Sequence, residues 1–510
     1  MTKKTLVLLG LVLLKFFLQY SLISPEYDLQ RDEYLHLDQA NHLAWGYLSV
    51  PPATSWVSVL IQWLGNQVFW VKFFPALFGA LTMVVVWKTI QALNGSFFAQ
   101  ILGAVCALFS VLLRLNTLFQ PNSLDVLCWT AFFYTLVQYI AQQKPKWLFF
   151  AALVFTLGLL NKYNLVFLAM GLLPALLLSP QRAIFRSKHC YMAAGMALLL
   201  VLPNLLWQYQ QQWPVVHHLK ELAATQLVHV HWLDFLKNQL LFFSGALLVI
   251  LLGLYALLFY LPFKPYRFFA LSFVFTLLVF MYCRAKDYYA IGLYPVYIAF
   301  GSVFTAQLLQ HGWLKYLRPL AIGLPLLLFI PFYQIGFPNK SPQYIIDHAK
   351  PYKDFGLLRW EDGKEHALPQ DFADMLGWRQ LAKLVDSVFA TLPNPGQTLV
   401  LCDNYGQTGA INYYKNNPQL IAHSFNADYI NWLPFNNKIT DAILVKEPDD
   451  EDKERNTEKP LFDTVYMAAR RINVFAREDT ISIYVLRGAK VDINQRLQAE
   501  AEAKRRRWQQ

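Results

Sequence analysis

Three carboxylates, Asp32, Glu33 and Asp38, crowd into the stretch "RDEYLHLDQANHLAWGYLSVPP", Arg31 to Pro52, directly after the first long apolar segment. Charge placed beside hydrocarbon is costly and usually carries a function. Asp32 and Glu33 are adjacent, so on a helix their side chains diverge by about 100°, and in a strand they face opposite ways. They are therefore not placed to share one proton as a dyad. Separate duties suit them better: one accepts a proton or directs the acceptor, and the other binds backbone amides or a metal. The plainer reading makes both of them polar residues at a membrane interface. Asp38, about 240° round a helix axis from Asp32, reads as structural.

Further residues join the first loop on chemical grounds. Asp125, in "QPNSLDVLCW", lies about one turn inside an apolar segment, where a carboxylate costs roughly 2.5–3.5 kcal/mol on insertion scales and needs a compensating partner. Lys162 ends one apolar segment, and Arg284 and Lys286 end another. A carboxylate cluster facing cations at one membrane surface suits a substrate with an anionic headgroup and a lipid tail, with Arg as a two-pronged phosphate clamp and Lys as a point charge. Taken singly, Lys162 snorkels to the interface, and Arg284 and Lys286 pair with Asp287. Tyr163 beside Lys162 and His218 in the 208–237 loop are further candidates for substrate contact. That loop carries His217, His218, His229 and His231, two adjacent pairs without the spacing of a metal-binding helix. Either one of them completes a site with a first-loop carboxylate, or they sit on an amphipathic helix at the interface beside Trp213 and Trp232. No phosphate-binding glycine loop, dinucleotide fingerprint or nucleophile elbow occurs.

The elements that must position these residues are mostly membrane-spanning. Of 510 residues, 56% are hydrophobic and only 15% charged, against about 25% charged in a soluble domain. The net charge of +11 sits in short clusters between apolar segments, which points to membrane topology and not to nucleic acid. Windows of about 20 apolar residues give eleven spans: 5–23, 68–90, 97–114, 122–141, 147–161, 163–179, 190–207, 238–262, 267–283, 288–309 and 317–336. The first reads as an uncleaved helix, since no small-residue cleavage site follows it. With the N-terminus inside, five of six cytoplasmic segments are basic, so the acidic loop and the C-terminal region face the extracytoplasmic side. Residues 1–337 form the membrane domain. Residues 338–510 form a soluble extracytoplasmic domain, in which "DMLGWRQLAKLVDSVFATL" reads as a helix and "TLVLCD", "DAILVKE" and "ISIYVLRG" as strands. The fold class is a mainly α polytopic membrane protein with a C-terminal α/β domain. "LQAEAEAKRRRWQQ" reads as a polar helix, either idle in solvent or with its basic end on anionic headgroups. Four of the five cysteines, Cys106, Cys128, Cys190 and Cys283, fall in or beside apolar spans, so no disulfide framework is expected.

The ordered stretches "DEYLHLDQANHLAWGYLSVPP", "FQPNSLDVLCW", "LGLLNKYN", "LPNLLWQYQQQWPVVHHLKEL", "DYYAIGLYPVYIAFG" and "NYGQTGAINYY" resemble bacterial membrane glycosyltransferases of the GT-C type. Within that type they look like the dolichyl-phosphate-mannose protein mannosyltransferase-like group, which includes the aminoarabinose transferase of lipid A. The resemblance implies an inner-membrane enzyme that inverts the anomeric carbon. It would move a sugar from a polyprenyl-phosphate carrier to a lipid, envelope-glycan or protein acceptor on the periplasmic face. It implies that Asp32 is the essential acid, with Glu33 beside it and Asp125 as the second acidic position. It also implies that Lys162 is a carrier-side cation and that the segment with Arg284, Lys286, Tyr288 and Tyr289 lies near the carrier lipid. Some relatives use a divalent metal ion, but no metal ligand aligns here. No nucleotide cofactor is expected, because the carrier brings the activated sugar. From another class, a flippase of lipid-linked sugars would favour inverted repeats and polar groups at the bilayer midplane. No fixed-period repeat is visible, and the ionisable residues collect at one face.

Overall fold

The computed structural model describes residues 2–435 and 437–509; the side chains of residues 229 and 507–509 lie outside the description. The N-terminal two-thirds is helical. Helices α1 (Lys3–Ser21), α2 (Arg31–Asp38), α3 (Ala53–Trp63), α4 (Val68–Ala92), α5 (Phe97–Leu108) and α6 (Val111–Leu115) lead into α7 (Pro121–Gln142), α8 (Lys146–Asn161) and α9 (Leu165–Leu177). Then come α10 (Lys188–Gln210), α11 (Pro214–Thr225), α12 (Trp232–Phe242), α13 (Leu247–Phe259), α14 (Phe268–Tyr282), α15 (Pro295–Leu308) and α16 (Arg318–Ile335).

Each of the eleven expected spans coincides with an apolar helical element. Among the described residues, five helices are long and apolar enough to cross a bilayer by themselves, or up to eight spans result if three bent pairs each count as one. The other three, Phe97–Leu108, Lys146–Asn161 and Phe268–Tyr282, are shorter. The bends have local causes. The 238–262 segment breaks at Ser244 and turns by 68°, where Gly245 meets the backbone of Pro325. The 288–309 segment turns by 49° where the 3-10 turn Asp287–Leu293 meets α15 at Pro295. The outward faces are greasy, as lipid contact requires: Leu6, Leu13 and Phe17 of α1, and Leu198, Leu199 and Tyr209 of α10, are exposed. The 208–237 loop forms α11 and α12, joined by a short 3-10 turn over Leu227–His229.

Five strands follow: β1 (Thr398–Cys402), β2 (Ala422–Ser424), β3 (Asp441–Lys446), β4 (Phe462–Ile472) and β5 (Thr480–Ala489), in the order β2-β1-β3-β5-β4. β1 pairs parallel with β2 and β3, and β5 pairs antiparallel with β3 and β4. Central β3, "DAILVK", is buried over its first five residues, as expected of a strand covered on both faces. One face packs under the helices Trp378–Phe389 and Tyr405–Tyr414. That core continues without a break into Leu29, Tyr34 and Leu37 of the first loop and α2, and into Val71 of α4. The other face is covered by the turn at Ile430 and Leu433 and by the C-terminal helix Ile493–Gln509, whose Ile493, Leu497 and Ala501 are buried at four-residue intervals. This last helix is a docking element, not an idle polar one.

Candidate active site

α2 begins with a reciprocal cap. The Gln30 side chain accepts from the Asp32 amide at 2.8 Å, while Glu33 Oε2 accepts from the Gln30 amide at 2.7 Å. The cap fixes the helix start and sends the two adjacent acids in different directions. Glu33 turns inward and is fully buried. Its two oxygens accept from Lys72 Nζ of α4 at 2.7 and 2.8 Å, and Oε1 also accepts from the Phe119 amide at 2.7 Å. Expected among the catalytic residues, Glu33 is instead closed off from the cavity, with both oxygens engaged. It is a positioning residue.

Asp32 faces a cavity of about 1120 Å³ between the membrane helices and the sheet region. Tyr405 Oη donates to Asp32 Oδ1 at 2.6 Å, and Gln120 Nε2 donates to Oδ2 at 3.1 Å. Tyr405 reaches across because its helix packs tightly on α2. A Cβ on Gly409 would come within 2.7 Å of Tyr34 Cβ, and one on Gly406 within 3.2 Å of Arg31 Cβ. The Arg31 guanidinium lies 4.4 Å from the centre of the Tyr405 ring, a cation-π contact that keeps the phenol over Asp32. Burial holds the Tyr405 phenol well above its ordinary value, with the Asp32 charge adding to the effect, so it stays a proton donor to Asp32. The loop before α7 is thus gripped twice, by Glu33 through the Phe119 amide and by Asp32 through the Gln120 side chain.

On the cationic wall, Lys162 Nζ donates to Asn122 Oδ1 at 2.7 Å and stands 4.1 Å from the centre of the Tyr289 ring and 5.2 Å from that of Tyr288. Burial pushes its ammonium down to about 8, against the opposing pull of Asp125. Lys286 donates to Glu361 at 2.5 Å. Burial alone would lower the Lys286 ammonium, but Glu361 outweighs it and the group sits above the ordinary lysine value. His218, from α11, shares the cavity with these residues, and burial lowers its imidazole, with Lys286 adding to the effect.

Three other expected residues lie elsewhere. Asp125 is buried behind the wall, where it accepts from Trp129 Nε1 at 3.1 Å and Asn164 Nδ2 at 2.9 Å. Asn164 Nδ2 also donates to the Tyr289 carbonyl at 2.8 Å. Asp125 therefore holds the tyrosine pair in place through Asn164 and does not line the cavity. Tyr163 donates to Asn204 at 3.0 Å and accepts from Gln208 at 2.9 Å, away from the cavity lining. Arg284 is exposed at a turn with φ +48° and does not line the cavity. Asp38 is structural, accepting from Asn41, Asn412 and the Tyr429 hydroxyl. Among the described residues, no group of three or more His, Cys, Asp or Glu side chains gathers as a metal site.

Residues 49–207 match the model of the dolichyl-phosphate-mannose-protein mannosyltransferase family. The chain is 27% identical to the lipid A galacturonosyltransferase RgtD of Rhizobium johnstonii over 226 residues. The match spans 41% of this chain and 45% of that relative, less than half the length of either. The fold resembles that of ArnT from Cupriavidus metallidurans bound to undecaprenyl phosphate, at a TM-score of 0.61 and 12% identity, covering 94% of this chain and 97% of that one. Its apo form gives a TM-score of 0.59 at the same identity and coverage. Motif order, family model and fold thus agree that this multi-helix membrane chain resembles the GT-C glycosyltransferases, in the protein-mannosyltransferase-like and lipid A-modifying group.

Proposed function

We propose that the protein is a bacterial inner-membrane glycosyltransferase that takes a sugar from a polyprenyl-phosphate carrier and passes it to a lipid, glycan or protein acceptor of the envelope. The observation that carries this reading is one cavity with Asp32 on one element and the cations Lys162 and Lys286 on others. The basic loops support an active face on the extracytoplasmic side, with residues 338–510 beside it.

In the proposed reaction the bond between the anomeric carbon and the carrier phosphate breaks, and the electron pair leaves with the phosphate. An acceptor oxygen bonds to the same carbon from the opposite side, which inverts it. Lys162 and Lys286 stabilise the charge growing on the departing phosphate. Where the acceptor is a hydroxyl, Asp32 takes its proton, while Tyr405 and Gln120 fix the carboxylate's orientation. Where the acceptor is already an anionic phosphate, Asp32 orients the acceptor or the sugar.

The test uses purified protein with a radiolabelled polyprenyl-phosphate sugar, scoring free carrier phosphate and labelled acceptor. Wild-type protein releases the carrier and labels the acceptor. Asp32→Asn lowers transfer by about 10²–10⁴-fold, the usual worth of a positioned acid-base group, with expression and melting temperature retained. Sugar that crosses a vesicle membrane without leaving its carrier would refute the enzyme reading in favour of a flippase. Wild-type turnover in Asp32→Asn would remove Asp32 from the mechanism.

A further inference from the structure

The cavity is larger than one headgroup needs. At about 1120 Å³ it exceeds the roughly 300–1,000 Å³ of a site for a single drug-sized ligand. Its lining carries a second pair of cations, on an element unrelated to Lys162 and Lys286. Lys504 and Arg505 of the C-terminal helix both line it. They are aimed there by the stripe Ile493, Leu497 and Ala501, which seats the preceding turns of that helix against the sheet.

Among the described residues Arg505 has no ion-pair partner, and Lys504 has only a surface one. Arg505 Nη2 donates to the Ile430 carbonyl at 2.7 Å, which fixes the guanidinium plane. Its Nε is buried without a hydrogen-bond partner, and among the described residues no carboxylate lies within ion-pair distance of it. Lys504 stands 4.3 Å from the Phe425 ring centre, with only an exposed i,i+4 partner, Glu500, at 3.4 Å. A pair of that kind contributes little. Neighbouring Arg506 points away, to Glu502 at 3.8 Å.

The wall beside them is built. Ala427 is held at φ +51°, a conformation costing an ordinary residue of order 1 kcal/mol and found where function requires it. Buried Asp428 fastens this turn to the first loop by accepting from the Leu48 amide at 2.7 Å and Gln39 Nε2 at 2.9 Å. Trp432, also on the lining, is stacked on His42 with ring centres 4.1 Å apart and planes 10° apart. The lining of one cavity thus carries a stacked indole together with a guanidinium and an ammonium group. Aromatic rings cover the apolar face of a sugar, and a planar guanidinium pairs with phosphate or carboxylate through two oxygens.

Resting on the transfer reading above, we infer that Lys504, Arg505 and Trp432 form the acceptor subsite, and that it binds an anionic saccharide, one bearing phosphate or carboxylate groups. The carrier phosphate uses Lys162 and Lys286, while the acceptor's charge docks on the C-terminal helix. Anionic acceptors are thereby selected over neutral glycans and unmodified protein hydroxyls.

The experiment measures binding to the full-length, detergent-purified protein by titration calorimetry with four probes. They are a glucosamine disaccharide bisphosphate, the same disaccharide without phosphates, inorganic phosphate and undecaprenyl phosphate. Wild type binds the bisphosphate at least tenfold more tightly than either the neutral disaccharide or inorganic phosphate. The double variant Lys504→Ala/Arg505→Ala loses about 10–100-fold in bisphosphate affinity, the range for charged hydrogen bonds, and keeps its affinity for undecaprenyl phosphate. Lys504→Arg/Arg505→Lys, which preserves the charge, retains most of the binding and controls for folding. Equal affinity for the phosphorylated and neutral disaccharides, inorganic phosphate binding as tightly as the bisphosphate, or a double variant indistinguishable from wild type would each overturn the inference. Failure of the transfer reading looks different: the bisphosphate still binds through Lys504 and Arg505, but no sugar leaves its carrier.

Discussion

Replacing Glu33 by alanine removes one end of a fully buried ion pair and four hydrogen bonds together: two from Lys72, one from the Phe119 amide and one from the Gln30 amide. Lys72 is itself only 8% exposed, so its ammonium would be left without a counter-charge. Removing one partner of a buried pair costs about 3–5 kcal/mol for that reason. A loss of that size lowers the melting temperature on the order of 5–10 °C in a chain of several hundred residues. The double variant Glu33→Met/Lys72→Met keeps the volume and removes both charges, so it recovers most of the loss. Intrinsic tryptophan fluorescence during heating in detergent reads the stability, and transfer at a temperature where each variant is folded reads the chemistry. A positioning role predicts that the double variant melts near wild type and retains measurable transfer, because Asp32 survives. If Glu33→Ala melts within about 1 °C of wild type while transfer vanishes, Glu33 acts on substrate and its assignment as a positioning residue is wrong.

Three further outcomes follow from the cavity geometry. Tyr405→Phe removes the 2.6 Å bond to Asp32, so kcat falls about tenfold with little change in KM for the donor; an altered KM with unchanged kcat would make Tyr405 a binding residue. Lys162, lowered to about 8 by burial, carries its charge below that pH. Undecaprenyl phosphate affinity is therefore highest below pH 8 and falls as pH rises through it, whereas Lys162→Arg shows no such fall up to pH 9; titration across that range decides it. The stability contribution runs the opposite way: the unfolded lysine binds more protons between about 8 and 10.4, so stability rises with pH in that window. Glu361→Gln frees Lys286 from a half-exposed partner 2.5 Å away, tightening undecaprenyl phosphate binding by about two- to fivefold, the worth of a partly exposed pair; unchanged affinity would place Lys286 off the carrier's path.

What could be read from the sequence, and what could not, divides along a physical line. Asp32, Lys162 and Lys286 were legible because charge beside apolar segments is costly, His218 as one of the four histidines of the 208–237 loop, and Tyr288 and Tyr289 only through the family resemblance. All six line the cavity. Tyr405 and Glu361 were not legible, since a tyrosine or a glutamate on a soluble element costs nothing and gives no signal. The contact from Tyr405 to Asp32 spans 373 positions. "NYGQTG" stood among the recognisable stretches without a role, and its role is the close approach that Gly406 and Gly409 permit. Glu33 takes the amide-binding duty that the sequence left open to one of the two acids, accepting from the Gln30 and Phe119 amides, but its burial was not legible, because the cap that employs it starts from Gln30, whereas Ser, Thr, Asp or Asn usually announces such a cap. Asp125 was read correctly as needing compensation but wrongly as reactive: the same cost that makes a buried acid conspicuous is met by Asn164 and Trp129. The eleven apolar segments were legible, but the bends at Ser244 and Pro295 depend on tertiary packing and local backbone preference that hydropathy averages out.

The three acids of the opening stretch can now be understood together. α2 has only eight residues. Relative to Asp32, Glu33 sits about 100° and Asp38 about 240° round the axis, so the three carboxylates leave the helix in three directions. Glu33 goes to α4 in the membrane region through Lys72. Asp38 goes to the sheet region through Asn412 and Tyr429. Asp32 goes to the cavity between them. A helix this short has little stability of its own, so its orientation is set by what its acids hold. Asp32 is therefore aimed by two anchors, one in each part of the molecule, and any motion of the sheet region against the membrane helices must rotate α2 and move the carboxylate. The placement of the reactive acid and the packing of the two regions are the same structural fact. Of the three charges beside hydrocarbon, one opens on the cavity and two fasten the helix that carries it.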